Sequence, residues 1–411
     1  MAGPGFELIG AEEIAEVLDV LRGGWVYRYG AEDNPNFKAK VWSFEKAMAE
    51  YVGVKHAVAV NSGSTALWIA LLALGIGPGD QVIVPGFTFI ASISAIVYAQ
   101  AVPVLAEIDR TFNLDPADVE RKITPRTKAI MAVHLMGNPA RMEELKTIAE
   151  RHGLLLLEDC AQAFGASYKG RAVGSIGHIG AFSFNYAKVI TAGEGGLITT
   201  DDDALYQRCF ALHDQGHAPL RKGREVGARP FLGLDFRMTE LQGAVLLAQF
   251  RKLAEIRARL YAHKQIFRSI IKGLPGLEFR ELTDAEGEAA TVLTVIFPNA
   301  EIAQGVAREL NGKLLVESGW HVYSNMEPLL EKRVPVERGY PFHHPDAEFE
   351  AIEYAKGMLP QTDELVARAF NIGIGMTDKA LATYGVTVRS TGQEVEACAK
   401  EFRRVAAKYL Q

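Results

Sequence analysis

Four short runs of this sequence hold residue types whose spacing could do chemistry. In Asn61-Ser62-Gly63-Ser64-Thr65-Ala66-Leu67, small and hydroxylated residues open an apolar helical stretch. The first turn of a helix has unpaired backbone N–H groups, and small side chains let an anion such as a phosphate reach them. Ser64 and Thr65 could bind that anion, or they could simply cap the helix. In Leu156-Leu157-Glu158-Asp159-Cys160-Ala161-Gln162-Ala163, an apolar strand delivers Asp159 to its carboxyl end. A carboxylate there needs a cation or several donors. A protonated pyridinium nitrogen would serve, and capping the next turn is the plainer alternative. In Phe182-Ser183-Phe184-Asn185-Tyr186-Ala187-Lys188-Val189-Ile190, a lysine sits among apolar residues and is followed by the glycine-rich Gly193-Glu194-Gly195-Gly196. A partly desolvated lysine loses pKa and becomes an amine nucleophile toward aldehydes, whereas an ordinary lysine is a solvated surface group. In Pro85-Gly86-Phe87-Thr88-Phe89-Ile90-Ala91-Ser92, an aromatic ring, Phe87 or Phe89, follows a buried strand, where it could stack on a flat heterocycle or pack in the core.

These runs need elements to carry them. Between about residue 54 and 200, short apolar runs alternate with amphipathic ones. Strands are expected at His56–Val60, Gln81–Pro85, Val102–Ile108, Lys128–Val133, Leu154–Glu158 and Ile179–Ser183. Helices are expected at Ser64–Leu74, Phe89–Ala99, Asp115–Lys122 and Arg141–Arg151. Such alternation implies crossover connections, hence an α/β fold with a largely parallel sheet between helices. Ligands in such sheets collect at the carboxyl ends of strands, where all four runs fall. Farther on, Glu240–Ile271 reads as one long helix. Leu277–Arg280, Ala290–Phe297 and Lys313–Glu317 read as strands around a helix at Glu301–Leu310, a small α/β layer of its own. Glu327–Pro360 reads as irregular, and Thr391–Tyr409 as a closing amphipathic helix. A length of 411 residues suits two domains, placed at 1–255 (N-terminal segment and large domain) and 256–411 (small domain).

Bulk composition excludes several classes. A net charge of −6 without a dense basic run argues against a nucleic-acid partner. No apolar stretch is long enough for a membrane span, and the N-terminus lacks the pattern of a signal peptide. The three cysteines are scattered without metal-ligand spacing, which suits reduced thiols, no metal site and a cytoplasmic location.

Together, an anion turn, a stacking aromatic, a pyridinium carboxylate and an aldehyde-trapping lysine are what a pyridoxal 5′-phosphate enzyme must supply. The runs SGSTALWIALLALGIGPGDQVIVPGFTF, ITPRTKAIMAVHLMG, LLEDCAQAFGA and FSFNYAKVITAGEGG resemble the DegT/StrS family of sugar aminotransferases. The likeness begins near residue 5, is dense through Lys188 and thins after about residue 275. It implies the pyridoxal-phosphate-dependent transferase fold type I, and a homodimer whose active sites are shared across the two-fold interface. It also implies that Lys188 holds the cofactor as a Schiff base, and that Asp159 pairs with its ring nitrogen. By the same likeness Gln162 faces the ring hydroxyl, Ser64, Thr65 and Ser183 bind the phosphate, and Phe89 stacks on the ring. In the family's Gly-x-Asn-x-Arg motif the Asn reaches the partner subunit's cofactor phosphate. This chain has Gly233-Leu234-Asp235-Phe236-Arg237. A carboxylate beside a phosphate is repelled, so Asp235 must be turned away, protonated or paired with a cation such as Arg237.

The implied reaction moves an amino group from L-glutamate or L-glutamine to a keto-sugar. Pro4–Leu8, Tyr27-Arg28-Tyr29, His213–His217 and Gly233–Arg237 are most similar to a subfamily forming 8-amino-3,8-dideoxy-octulosonate, a lipopolysaccharide sugar acid, from 3,8-dideoxy-8-oxo-octulosonate. In that case Arg28, Tyr29, His321, Tyr323 and Asn325 are candidates for binding the carboxylate and hydroxyls; Trp320–Asn325 as an ordinary surface loop is the alternative. Relatives acting on nucleotide-linked keto-sugars or cyclitol ketones, pyridoxal-dependent sugar dehydratases, and a non-catalytic cofactor-binding sensor are the competing readings. Retention of Lys188 and the scattered cysteines speak against the dehydratases.

Overall fold

The computed structural model describes residues 3–219, 229–336, 338–343, 352–376 and 380–411. Its apolar runs form β1 (His56–Val60), β2 (Gln81–Pro85), β3 (Val102–Ala106), β4 (Thr127–Val133) and β5 (Leu155–Asp159). A short hairpin, β6 (Ser167–Tyr168) and β7 (Arg171–Ala172), precedes β8 (Ile179–Ser183) and β9 (Gly196–Thr200). Seven strands join in the order β1-β9-β8-β5-β4-β2-β3. Only β9 runs against its neighbours.

Both faces of this sheet are buried, which is why its strands read as continuous apolar runs rather than alternating ones. Val82, Val84, Ala129 and Met131 pack on one face with the helices Gly63–Ala73 and Ile90–Tyr98. Ile83, Ile130 and Ala132 point the other way, toward the helix Met142–His152. The period of two along a strand produces this division.

The second half builds a smaller sheet, β10 (Glu278–Phe279), β11 (Val292–Ile296), β12 (Ala369–Gly373) and β13 (Tyr384–Gly385), in that order. The helices Ala300–Glu309 and Gly392–Tyr409 cover it through Val306, Val395, Phe402 and Val405. Thr391 caps the last helix by a reciprocal pair of hydrogen bonds with Glu394.

Two expected elements need correction. Glu240–Ile271 is two helices, Glu240–Arg251 and Leu253–Ile271. They meet at Lys252, whose N–H reaches back only three residues to Gln249 and whose ammonium is drawn to Glu12 and Glu13. Lys313–Glu317 is no strand: Leu315–Glu317 is a 3-10 turn closed by Glu317 onto the Leu314 N–H. The place beside β11 belongs instead to β12, a segment not expected to be extended. Glu327–Pro360 contains the short helix Glu327–Leu330, and its residues 337 and 344–351 lie outside the described residues. The division expected at residue 255 falls inside the helix Leu253–Ile271, which belongs to both layers. Its Leu253, Ile256 and Leu260 pack against the large sheet's helices, and its Phe267 and Ile271 against the small sheet.

Candidate active site

The carboxyl ends of β1, β2, β5 and β8 and the amino end of β9 meet at one edge, and a cavity opens there. At one end lies the start of the helix Gly63–Ala73. Ser62 caps it, its Oγ accepting the Thr65 N–H at 3.1 Å and bonding the Thr65 hydroxyl at 2.8 Å. The Thr65 N–H and hydroxyl are engaged in this cap, and Ser62, Gly63 and Ser64 line the cavity. Gly63 is required by close approach: a Cβ there would lie 2.5 Å from the Cβ of Ser183, which ends β8. Helix start and Ser183 hydroxyl thus share one anion-sized recess.

At the opposite end β5 delivers Asp159, which is 3% exposed. Its Oδ2 accepts the Ser92 hydroxyl at 2.7 Å and its Oδ1 accepts the Ala161 N–H at 3.1 Å. Burial pushes the Asp159 carboxyl above its ordinary range, against the pull of Ser92, Ala161, Lys188 and His134. A cation in the cavity would reverse that shift. Beneath it, Glu158 accepts N–H groups of Gly174, Ile176 and Gly177 and bonds His134 Nε2 at 3.0 Å. His134 Nδ1 accepts the Ala140 N–H, so it is Nε2 that donates. His134, Glu158 and Cys160 lie close enough to hold an ion, but the imidazole and carboxylate already bind one another and these amides. They act as the floor beneath Asp159.

Between the two ends, Lys188, Gln162 and Phe89 line both this cavity and an outer chamber of about 140 Å³. Gln162 Oε1 accepts the Met136 N–H at 3.1 Å, which leaves the Nε2 donors for the cavity. The outer chamber is closed by Pro4, Thr291, His321, Met376 and Leu381. His321 arrives because residues 320–322 pair with 87–90: the N–H groups of Thr88 and Ile90 donate to the carbonyls of His321 and Trp320 at 2.9 Å. Its ring stands 5.2 Å from that of Phe89. Neither Ser92 nor Thr291 was singled out from the sequence, because a hydroxyl within an apolar run carries no signal by itself.

The other expected substrate groups have internal duties. Arg28 is 4% exposed and ion-paired with Glu45 at 2.8 Å, with its second nitrogen on the Ala59 carbonyl and His213 Nε2 at 3.0 Å. His213 accepts that bond as a neutral imidazole, its pKa pushed down to about 3 by burial and by Arg28. A guanidinium so committed does not reach a substrate carboxylate. Arg28→Ala is expected instead to cost about 3–5 kcal/mol of stability by stranding Glu45, measured by denaturant unfolding; Arg28→Ala with Glu45→Ala should cost less. Tyr29 donates to Asp214 at 2.5 Å. Tyr323 is fully buried and bonds Asp363, and Asn325 donates to the Val316 carbonyl. These bonds fix the loop that presents His321. Asp235 is ion-paired with Arg237, which also bonds Asp214 at 2.5 Å, so of the three possibilities for this carboxylate the cation pair is realised.

Relatives of known name share this frame. GDP-perosamine synthase of Caulobacter vibrioides is 52% identical over 213 residues, 52% of this chain and 56% of that protein, so the match spans little more than half of that relative. L-glutamine:2-deoxy-scyllo-inosose aminotransferase of Streptomyces kanamyceticus is 36% identical over 340 residues, 79% of this chain and 78% of that protein. The solved structure of S. venezuelae DesV, in complex with a ketimine intermediate, superposes with a TM-score of 0.72 at 32% identity, covering 95% of this chain and 94% of that one. The sequence profile of the DegT/DnrJ/EryC1/StrS aminotransferase family matches residues 7–382, through every strand of the large sheet and on into the small layer, and on that breadth the chain belongs to this family.

Proposed function

We propose that the chain is a pyridoxal 5′-phosphate-dependent aminotransferase that passes an amino group from L-glutamate or L-glutamine to a keto-sugar. The observation that carries this reading is a single cavity with a helix start and Ser183 at one end, buried Asp159 at the other, and Lys188 between. Those groups suit the cofactor's phosphate, ring nitrogen and aldehyde. Gly63 keeps the recess open, and buried Asp159 has a carboxyl held above its ordinary range until a cation meets it. When bound, pyridoxal phosphate supplies an aldehyde that captures amines and a conjugated ring that accepts electrons.

The chain's own residues supply the rest. Asp159 stabilises positive charge at the ring nitrogen by its own negative charge. Gln162 Nε2 would donate to the ring's oxygen substituent, and Phe89 would cover one ring face. Lys188 Nζ takes a proton from the donor's carbon and returns it, as base and then acid. The acceptor enters the outer chamber, where Gln162, Asn185 and Thr291 offer polar partners for sugar hydroxyls. Lys188 is the one Lys, Arg, Asp or Glu among that chamber's described lining residues. Arg28, the arginine expected to take an octulosonate carboxylate, is committed to Glu45. The names of the perosamine and inosose relatives favour a nucleotide-linked keto-sugar or a cyclitol ketone as the acceptor, and the cyclitol ketone, being uncharged, asks least of this lining. The working unit is a homodimer with shared active sites.

The test is incubation of purified protein with pyridoxal phosphate, α-¹⁵N-labelled glutamate or glutamine, and a panel of a GDP-linked keto-sugar, a cyclitol ketone and the 8-oxo-octulosonate. Mass spectrometry is expected to find the label in the first or second. Label only in the octulosonate would overturn the acceptor assignment and leave keto-sugar aminotransfer standing. No label in any sugar would overturn both.

A further inference from the structure

Asp159 is not held by the cavity alone: two buried hydroxyls stand in line behind it. Ser92 is 1% exposed and donates to Asp159 Oδ2 at 2.7 Å, and Thr88 Oγ1 lies 2.8 Å from Ser92 Oγ. Thr88 is fully buried. A carboxylate only accepts, so Ser92 spends its single proton on Asp159. The contact between the hydroxyls must then be filled by the proton of Thr88. With Asp159 ionised the line has one direction, from Thr88 to Ser92 to Asp159, and it ends on the charge that makes its last bond strongest. A neutral Asp159 would still accept through its remaining lone pairs, but the Ser92 bond would lose its charge assistance, so the line favours the ionised form.

We propose that Ser92, oriented by Thr88, is a positioning residue that keeps Asp159 ionised and turns its remaining lone pairs toward the cavity. The proposal rests on the pyridoxal phosphate reading above. Both residues start the helix Ile90–Tyr98, where hydroxyls commonly cap backbone N–H groups. Here that helix has no side-chain cap, so neither hydroxyl is used for that purpose. Thr88 is itself fixed by its N–H on the His321 carbonyl, so the line is anchored to the outer chamber. The charged and titratable groups facing Asp159 are Lys188 and His134, which favour its ionised form, with Glu158 and Cys160 adjacent in the chain. Among the described residues, Ser92 is the neutral side chain that donates to the carboxylate.

The test compares native protein with Ser92→Ala, Thr88→Val and Thr88→Ser, by equilibrium dialysis against pyridoxal phosphate from about pH 5.5 to about pH 8.5. A hydrogen bond to a charged group is strong enough to move a carboxyl by about one pH unit. Losing it raises the pKa of Asp159, so the protonated, non-binding form spreads upward in pH. Ser92→Ala is expected to weaken cofactor binding about tenfold at the acid end and much less at the alkaline end. Thr88→Val should shift the profile the same way by less, and Thr88→Ser should restore it. Because Thr88→Val keeps the backbone bond to His321, the threonine pair carries the test even if Ser92→Ala does not fold. Native pH profiles in both Ser92→Ala and Thr88→Val would overturn the proposal, as would a pH-independent loss equal in Thr88→Val and Thr88→Ser. Native protein that binds no pyridoxal phosphate would overturn the cofactor reading itself, an outcome distinct from either.

Discussion

Lys188→Ala is expected to lower amine transfer by at least about a thousandfold and to remove the visible absorbance of protein-bound pyridoxal phosphate. The loss should be chemical rather than structural. The backbone at this point is held without the side chain: the Lys188 N–H donates to the Asn185 carbonyl at 3.0 Å, and Gly3 and Gly5 donate to the carbonyls of Tyr186 and Lys188. The N-terminal strap so formed lies against residues 186–188 with no room for more than glycine; a Cβ on Gly3 would sit 2.3 Å from the Ala187 carbonyl oxygen. Alanine at 188 should therefore leave the melting temperature near the native value, as calorimetry can verify. Lys188→Arg should fail as completely, since a guanidinium is never deprotonated near neutrality and cannot act as base. A cofactor band of native intensity in Lys188→Ala would sink the assignment. A native protein that shows the band but transfers no amine would favour the sensor reading instead.

The strands β1 to β5 and β8 were legible because both faces of the sheet are covered, which forces unbroken apolar runs such as Gln81–Pro85, whereas the two-residue strands β6 and β7 were too short to leave a pattern. Asp159 and Lys188 stood out for the same reason: each is a charged residue delivered by such a run. β9 was not legible, since Gly196-Leu197-Ile198-Thr199-Thr200 is short, starts with glycine and takes its order from pairing with β1 and β8. The break at Lys252 was hidden because no Gly or Pro marks it and the residue's ion-pair partners, Glu12 and Glu13, lie far off in the chain. Arg28 misled most. Between two tyrosines it reads as an exposed binding residue, and its partners Glu45 and His213 are 17 and 185 residues away. Residue type and position along a strand expose a site's chemistry; long-range pairing decides which of its charges are available. By the same logic Ser92 was invisible, because its value lies wholly in the distance to Asp159, 67 residues away.

Asp159→Asn should separate function from stability more cleanly than any other substitution here. The amide keeps the size of the side chain but lacks the charge that the ring nitrogen requires. An opposing charge at such range shifts a partner's pKa by about 1–3 units, so the protonated fraction of the ring nitrogen should fall by about ten- to a thousandfold. The turnover number should fall with it, while the donor's KM changes little, since Asp159 sits at the far end of the cavity from the helix start. Stability should move the other way. In the empty site burial holds the Asp159 carboxyl above its ordinary range. A carboxyl raised in the folded state favours folding below its unfolded pKa and loses that advantage as pH rises through the folded value. At a pH above both values, the ionised group is a liability to the apo-protein. Cofactor-free Asp159→Asn should thus melt at or above the native temperature at neutral pH, with the difference shrinking on acidification. A clear fall in apo-protein melting temperature at neutral pH would show that Ser92 and Ala161 already compensate the buried charge in full. The opposite result would mean that the fold tolerates an under-stabilised carboxylate at the end of β5 because a bound cation completes it.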